Sequence, residues 1–211
     1  GGKRRRQMND KLAAAWQHFF EGQLNKAEEL EQQLEKDSFS RWNLRAYLAV
    51  ERQDYQNAFA NLEIYLIQAQ NDSDIENEHI AYHQLAYVAR AAGDFYQALE
   101  WIEKEAAFLA MYSPDDHYRQ SVNLYELGYL NLKLGRLTQA HEFMRKAHIY
   151  AKESDDVINH ACSYRGLGEI AQALGNSKEA RTNFAAAIRL FDQAGDAIGK
   201  AEAEGLLAGC P

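Results

Sequence analysis

His79 and His83 stand four residues apart, a spacing that sets two imidazoles on one helix face where they could share a metal ion, with Glu76 and Glu78 nearby as oxygen donors. No third ligand is fixed by the pattern, and the string is not the His-Glu-x-x-His of a zinc hydrolase, so no metal is assigned. Gly166-Leu-Gly168-Glu-Ile-Ala171 has the outline of a dinucleotide fingerprint. That chemistry needs a preceding strand and a glycine turn opening a helix, whereas this stretch lies within a helical pattern. Cys162 has no evident base and reads as a small packing or groove residue. His141 and His148, seven residues apart on another helical pattern, read as surface or groove-edge residues. With no phosphate loop, nucleophile elbow or paired-cysteine site either, the expectation is a protein that is not an enzyme and has no catalytic residue, cofactor or metal.

A second set of side chains points to recognition instead of reaction. Tyr47, Tyr87, Tyr125 and Tyr129 recur along the chain with Arg90, Lys133 and Arg165 among them. Tyrosine offers flat apolar area with a hydroxyl at its rim, and the cations can pair with carboxylates of a bound segment. The elements that must hold these residues come from a repeat. Gly22-Gln-Leu-Asn-Lys-Ala27, Gln53-Asp-Tyr-Gln-Asn-Ala58, Gly93-Asp-Phe-Tyr-Gln-Ala98, Gly135-Arg-Leu-Thr-Gln-Ala140 and Gly175-Asn-Ser-Lys-Glu-Ala180 close on alanines 31, 40, 42 and 40 residues apart. A period of this size means stacked supersecondary units with no single catalytic core.

Each phrase sits at a turn between two helical patterns, the glycine ending the first helix in a left-handed conformation. Twelve residues before each alanine stands a small residue: Ala15, Ala46, Ala86, Gly128 or Gly168. Small side chains there and at the alanines let facing helices approach closely. Trp42, Tyr82, Leu124 and Tyr164 precede the small residue by four, Leu85, Leu127 and Leu167 by one, and Leu62, Ile102, Met144 and Phe184 follow the alanine by four. This is an apolar stripe of helical period. The first unit fits least, with Lys11 where an aromatic is expected, as suits a terminal unit.

Leu124-Tyr-Glu-Leu-Gly128 with Gly135, Ala140 and Ala147, and Tyr164-Arg-Gly-Leu-Gly168 with Gly175, Ala180, Phe184 and Ala187, resemble the tetratricopeptide repeat over residues 9–194. The family's usual period is about 34 residues. The longer units here resemble those of kinesin light chains and of the bacterial Rap-type peptide sensors. The resemblance implies an all-α, right-handed superhelical solenoid of about five helix-turn-helix units, at about 9–36, 39–72, 79–112, 119–153 and 159–194, with a capping helix over 196–208. In that cap, Ala201, Ala203, Leu206 and Leu207 are expected to face the fifth unit, and Glu202 and Glu204 the water. Asp115-Asp116-His117, after Pro114, reads as a helix start.

In such a solenoid the first helix of each unit lines a concave groove. The register then places Asn43, Tyr47, His83, Tyr87, Arg90, Tyr125, Tyr129, Lys133, Arg165, Glu169 and Gln172 on that wall. The expected function is a non-catalytic module binding a peptide or protein segment there. The alternative is a peptide-responsive regulatory sensor domain of a larger bacterial signalling protein. The family's two-carboxylate chaperone clamp is not matched. Trp16, Phe19 and Phe20 form an apolar end through which two chains could pair as a homodimer.

The 211 residues carry a net charge of −8, with 23 Lys and Arg against 31 Asp and Glu. Four of the cations are Lys3-Arg4-Arg5-Arg6, so the body is more acidic than the total shows and nucleic acid is not expected as a partner. The chain opens Gly1-Gly2 and Met8 could be a native start, so residues 1–8 are expected to be a basic tail or a flanking remnant. No apolar run is long enough to span a membrane. Cys162 and Cys210 are too few for a disulfide framework and fit a reducing, cytoplasmic setting.

Overall fold

The computed structural model describes residues 2–211, and among these the secondary structure consists of eleven helices. They fall into two compact units, one up to Asp94 and one over Phe95–Pro211. The first holds α1 (Gly2–Phe20), α2 (Leu24–Gln32), α3 (Phe39–Glu51), α4 (Tyr55–Asn71) and α5 (Ile75–Ala91). The second holds α6 (Phe95–Tyr112), α7 (His117–Lys133), α8 (Leu137–Glu153), α9 (Val157–Ala173), α10 (Ser177–Ala194) and α11 (Ala197–Ala208). The boundary falls between the two helices of the expected third repeat. Within each unit successive helices pack as neighbours, and first helices touch across the repeat, α3 on α1 and α5, and α7 on α9. The fold is an all-α helical repeat solenoid.

Short turns follow from two devices. Asp54, Asp74, Asp116, Asp156 and Asp196 stand at N-caps, each accepting the backbone N–H three residues on, from Asn57, Asn77, Arg119, Asn159 and Gly199. At the other end, Gly135 (φ 75°) lets its own N–H and that of Arg136 reach back to the carbonyls of Leu132 and Asn131, at 3.0 and 2.9 Å. Gln53 occupies the same position with φ 59° and makes the same pair of bonds, to Val50 and, through Asp54 N–H, to Ala49. The turn geometry therefore holds even where glycine is missing.

Most of the predicted stripe forms the core, while Tyr82, Leu124, Tyr164 and Leu167 are only partly buried. Ala27, Ala58, Ala98, Ala140 and Ala180 are all fully buried, as are Leu62 and Phe184, and Ile102 and Met144 are nearly so. The close approaches are real contacts. A Cβ built on Gly128 would lie 2.9 Å from Met144 Cε, and one on Gly168 would lie 2.6 Å from the Phe184 ring.

Two helix starts and the buried face of α11 differ from expectation. α1 begins at Gly2, not near residue 9, because Lys, Arg, Gln and Met are good helix formers and Arg4 pairs with Glu35 after α2. α5 begins at Ile75, because Asp74 is the cap. Ala201 is exposed rather than packed on the fifth unit. The buried face of α11 runs through Gly199 and Ala203, with Leu206 and Leu207 against Ala171, Ala180 and Phe184, so position 201 lies off the stripe.

Candidate functional site

The second unit brings four of the eleven expected groove residues into one pocket. Tyr125 and Tyr129, one turn apart on α7, stack with ring centroids 6.5 Å apart and planes 8° from parallel. Arg165 and Glu169, one turn apart on α9, lie beside them, and α11 closes the far wall with Glu202, Gly205 and Leu206. The cavity volume is about 440 Å³.

Arg165 organises this pocket. Its Nη2 donates to the Tyr125 hydroxyl at 3.2 Å, and its Nη1 to Glu202 Oε2 at 3.0 Å, while Nε lies 3.8 Å from Glu169 Oε1. The guanidinium carbon also sits 5.8 Å from the centre of the Phe191 ring. Burial pushes the Tyr125 phenol up to about 12, against the pull of Arg165. Burial likewise raises the Glu169 carboxyl, with Arg165 and Lys133 opposing it and Glu202 adding to it. Lys133 places its ammonium 5.4 Å from the centre of the Tyr129 ring.

The first unit gathers a different set. Tyr47 of α3 and Tyr87 of α5 meet with ring centroids 5.3 Å apart. Tyr47 also touches Trp16 and Phe19 of α1, each at 5.7 Å, and its hydroxyl donates to Gln84 at 3.2 Å. Trp16 stacks on Phe20 and donates its indole N–H to Ser40. Of the three end aromatics, Trp16 and Phe19 are thus partly covered within the unit, and Phe20 is 75% exposed. Burial raises the Tyr87 phenol, with Tyr47 and Glu51 in the same direction and Arg90 opposing. Asn43 and His83 are half-buried on the same helices. Gln172 lies at the end of α9, where its carbonyl accepts the Gly175 N–H, and it does not line the pocket.

Sequence reasoning missed the contribution of α11. Glu202 was expected to face water. Its side chain is 60% exposed, yet it bridges to Arg165, because α11 packs along α10 and swings this face over α9. The spacing of 37 residues between Arg165 and Glu202, close to one repeat, is the signal that could have found it. His148, expected at the surface or a groove edge, is more enclosed than a surface residue. It is half-buried, its Nδ1 is 2.8 Å from Ser163 Oγ, and its ring meets His160 and Tyr164 at 5.1 and 4.4 Å. Cys162 packs among Ala161, Ala187 and Phe191, and burial raises its thiol. Among the described residues no three His, Cys, Asp or Glu side chains converge as metal ligands, and no helix is long and apolar enough to cross a membrane.

Residues 79–104, spanning α5 and α6, match the family model of the tetratricopeptide repeat. No functionally curated protein matches the sequence. Among solved structures, the chain is similar to a signal transduction ATPase with numerous domains from Pyrococcus horikoshii that carries a tetratricopeptide repeat sensor, with a TM-score of 0.78 and 16% identity, covering 94% of this chain and 31% of that one. It is similar to the TPR-like repeats of a Podosopora anserina kinesin light chain, with a TM-score of 0.69 and 19% identity over 90% of this chain and 96% of that one. Aspartyl phosphate phosphatase F from Bacillus subtilis matches with a TM-score of 0.63 and 11% identity, covering 95% of this chain and 60% of that one.

Proposed function

We propose that this tetratricopeptide-repeat protein is a non-catalytic recognition module that binds a peptide or protein segment along the face of its first helices. The observation that carries this reading is the pocket of the second unit. Tyr125, Tyr129, Arg165 and Glu169 come from two separate helices, were all picked by repeat register, and line one cavity. Its chemistry is that of recognition: aromatic walls supply contact area at low entropic cost, and a partly buried guanidinium supplies direction. The first unit offers a second patch of the same kind in Tyr47, Tyr87 and Arg90. Binding would draw its affinity from covering the aromatics, with the charges fixing register.

The test uses two double variants of the full chain, Tyr87→Ala with Arg90→Glu, and Tyr129→Ala with Lys133→Glu. Each is run beside the unaltered protein in affinity capture from native lysate with identification by mass spectrometry. Far-UV circular dichroism should show helicity retained in both. A partner held by the unaltered chain and lost from at least one variant supports the reading. Equal capture by all three proteins moves recognition off the first-helix face and refutes it.

A further inference from the structure

We propose that the pocket of the second unit takes a segment bearing a carboxylate next to an apolar side chain, and that Glu202 of α11 occupies the carboxylate's place until the ligand displaces it. This deepens the recognition reading given above and rests on it.

The three oxygens around Arg165 are not equivalent. Tyr125 and Glu169 are fixtures of the floor, the first on the neighbouring helix and the second one turn along α9 itself, with a side chain only 25% exposed. Glu202 comes from the last helix, is 60% exposed, and is joined to Arg165 through Nη1 alone. An ion pair with one partner so open to water is weak and easily exchanged. The guanidinium itself is not open: the Arg165 side chain is 19% exposed, so it cannot turn to solvent for a new partner. It meets whichever carboxylate enters the pocket, and its planar array of five N–H groups favours one that can take two bonds.

Charge points the same way. With Glu202 in place, Arg165 and Lys133 are balanced by Glu169 and Glu202. With Glu202 displaced, two cations face Glu169 alone, and the vacated position selects an anion. The apolar half of the site is equally defined. Leu206 and the Tyr125 and Tyr129 rings line it, and Gly205 leaves it unfilled, since a Cβ at that position would meet nothing within 4 Å. A cavity of about 440 Å³ accommodates an aliphatic or aromatic side chain beside the carboxylate.

The test uses two fluorescein-labelled, C-terminally amidated heptapeptide libraries. One has a central glutamate, the other a central glutamine. Both carry Leu, Phe or Tyr at the adjoining positions and Gly or Ser elsewhere. Anisotropy is measured on the full chain, on Glu202→Gln, on Arg165→Gln and on Tyr129→Ala, with circular dichroism confirming the fold of each. The glutamate library should bind the unaltered chain about ten-fold more tightly than the glutamine library. Glu202→Gln should tighten the glutamate library about three- to five-fold, as removal of a weak internal competitor predicts, and leave the glutamine library unchanged. Arg165→Gln should erase the difference between libraries. Glutamate binding that is unchanged or weakened in Glu202→Gln overturns the proposal. Equal binding of both libraries, lost from both in Tyr129→Ala, leaves the recognition face standing and overturns the carboxylate. Binding of neither library to any of the proteins also overturns it, and the lysate capture then judges the recognition reading on its own.

Discussion

Gly168→Ala measures how closely α9 and α10 approach. A Cβ at this position would lie 2.6 Å from both Cδ1 and Cε1 of Phe184 and 3.1 Å from Cζ. Phe184 is fully buried, with Leu206, Leu207 and Ala180 packed around it, so the ring has no free end to move aside. Two effects compete. Alanine gains about 1 kcal/mol of helix propensity over glycine. Overpacking a close-packed core costs about 1–3 kcal/mol, and a rigid ring places this case in the upper part of that range. The net expectation is a loss of about 1–2 kcal/mol, read as a lower urea midpoint by circular dichroism and a fall of about 2–8 °C in melting temperature. Gly166→Ala is the internal control. Its Cβ would come as close, 2.5 Å from Met144 Sδ and 2.6 Å from Cε, but these atoms end an unbranched, flexible side chain. Propensity should then offset most of the strain, leaving Gly166→Ala within about 1 kcal/mol of the parent. Adding Phe184→Leu to Gly168→Ala should recover part of the loss. A Gly168→Ala protein as stable as the parent, or less damaged than Gly166→Ala, would refute this account of helix packing.

Two further outcomes follow from local geometry. Burial, with His160 and Lys152 adding to it, pushes the His148 imidazole from 6.5 to about 4. Its folded value lies below its unfolded one, so the stability it confers is full above about pH 6.5 and is lost as pH falls toward 4. Urea midpoints should drop between pH 7 and pH 5, and His148→Gln should flatten that slope; an unchanged slope would refute it. Gln53 pays for its left-handed φ of 59°, so Gln53→Gly should stabilise the first unit by about 0.5–1 kcal/mol in the same assay, and a loss of stability would count against the turn argument.

Much of the fold was legible because the turn chemistry and the small-residue positions repeat together. Gly128 and Gly168 were read as close-approach sites, and the Met144 and Phe184 contacts bear that out. Four pocket residues were legible for the same reason: repeat register gives helix face, and helix face gives the pocket. What was illegible depended on tertiary placement. Nothing local distinguishes Glu202 from Glu204, since both look like solvated residues of a terminal helix, and only the packing of α11 on α10 aims the first at Arg165. His148 was hidden similarly. It sits four residues after the fully buried Met144 and one after the buried Ala147, at the edge of the stripe, where the neighbouring Ser163, His160 and Tyr164 decide its burial. The start of α1 was missed because a cationic run was taken as a tail, although those residues extend a helix readily.

The capping helix has a packing side and, on the proposed reading, a second side at the pocket. A helix that only covered the fifth repeat would need its Gly199, Ala203, Leu206 and Leu207 stripe and little else. Gly199 packs under the Phe191 ring, where a Cβ would lie 2.6 Å from it, and Ala203 is fully buried in the same cluster. Those contacts fix the rotation of α11, and the rotation leaves Glu202 and Gly205 no choice but to border the pocket. Arg165 spans both systems, its guanidinium carbon near the Phe191 ring and its Nη1 on Glu202. Loosening of the stripe would therefore be felt at the pocket, whereas exchange of Glu202 for another carboxylate leaves the stripe intact. The asymmetry is what makes Glu202 the replaceable partner and Phe191 the fixed one, and it separates variants that change recognition from those that change stability.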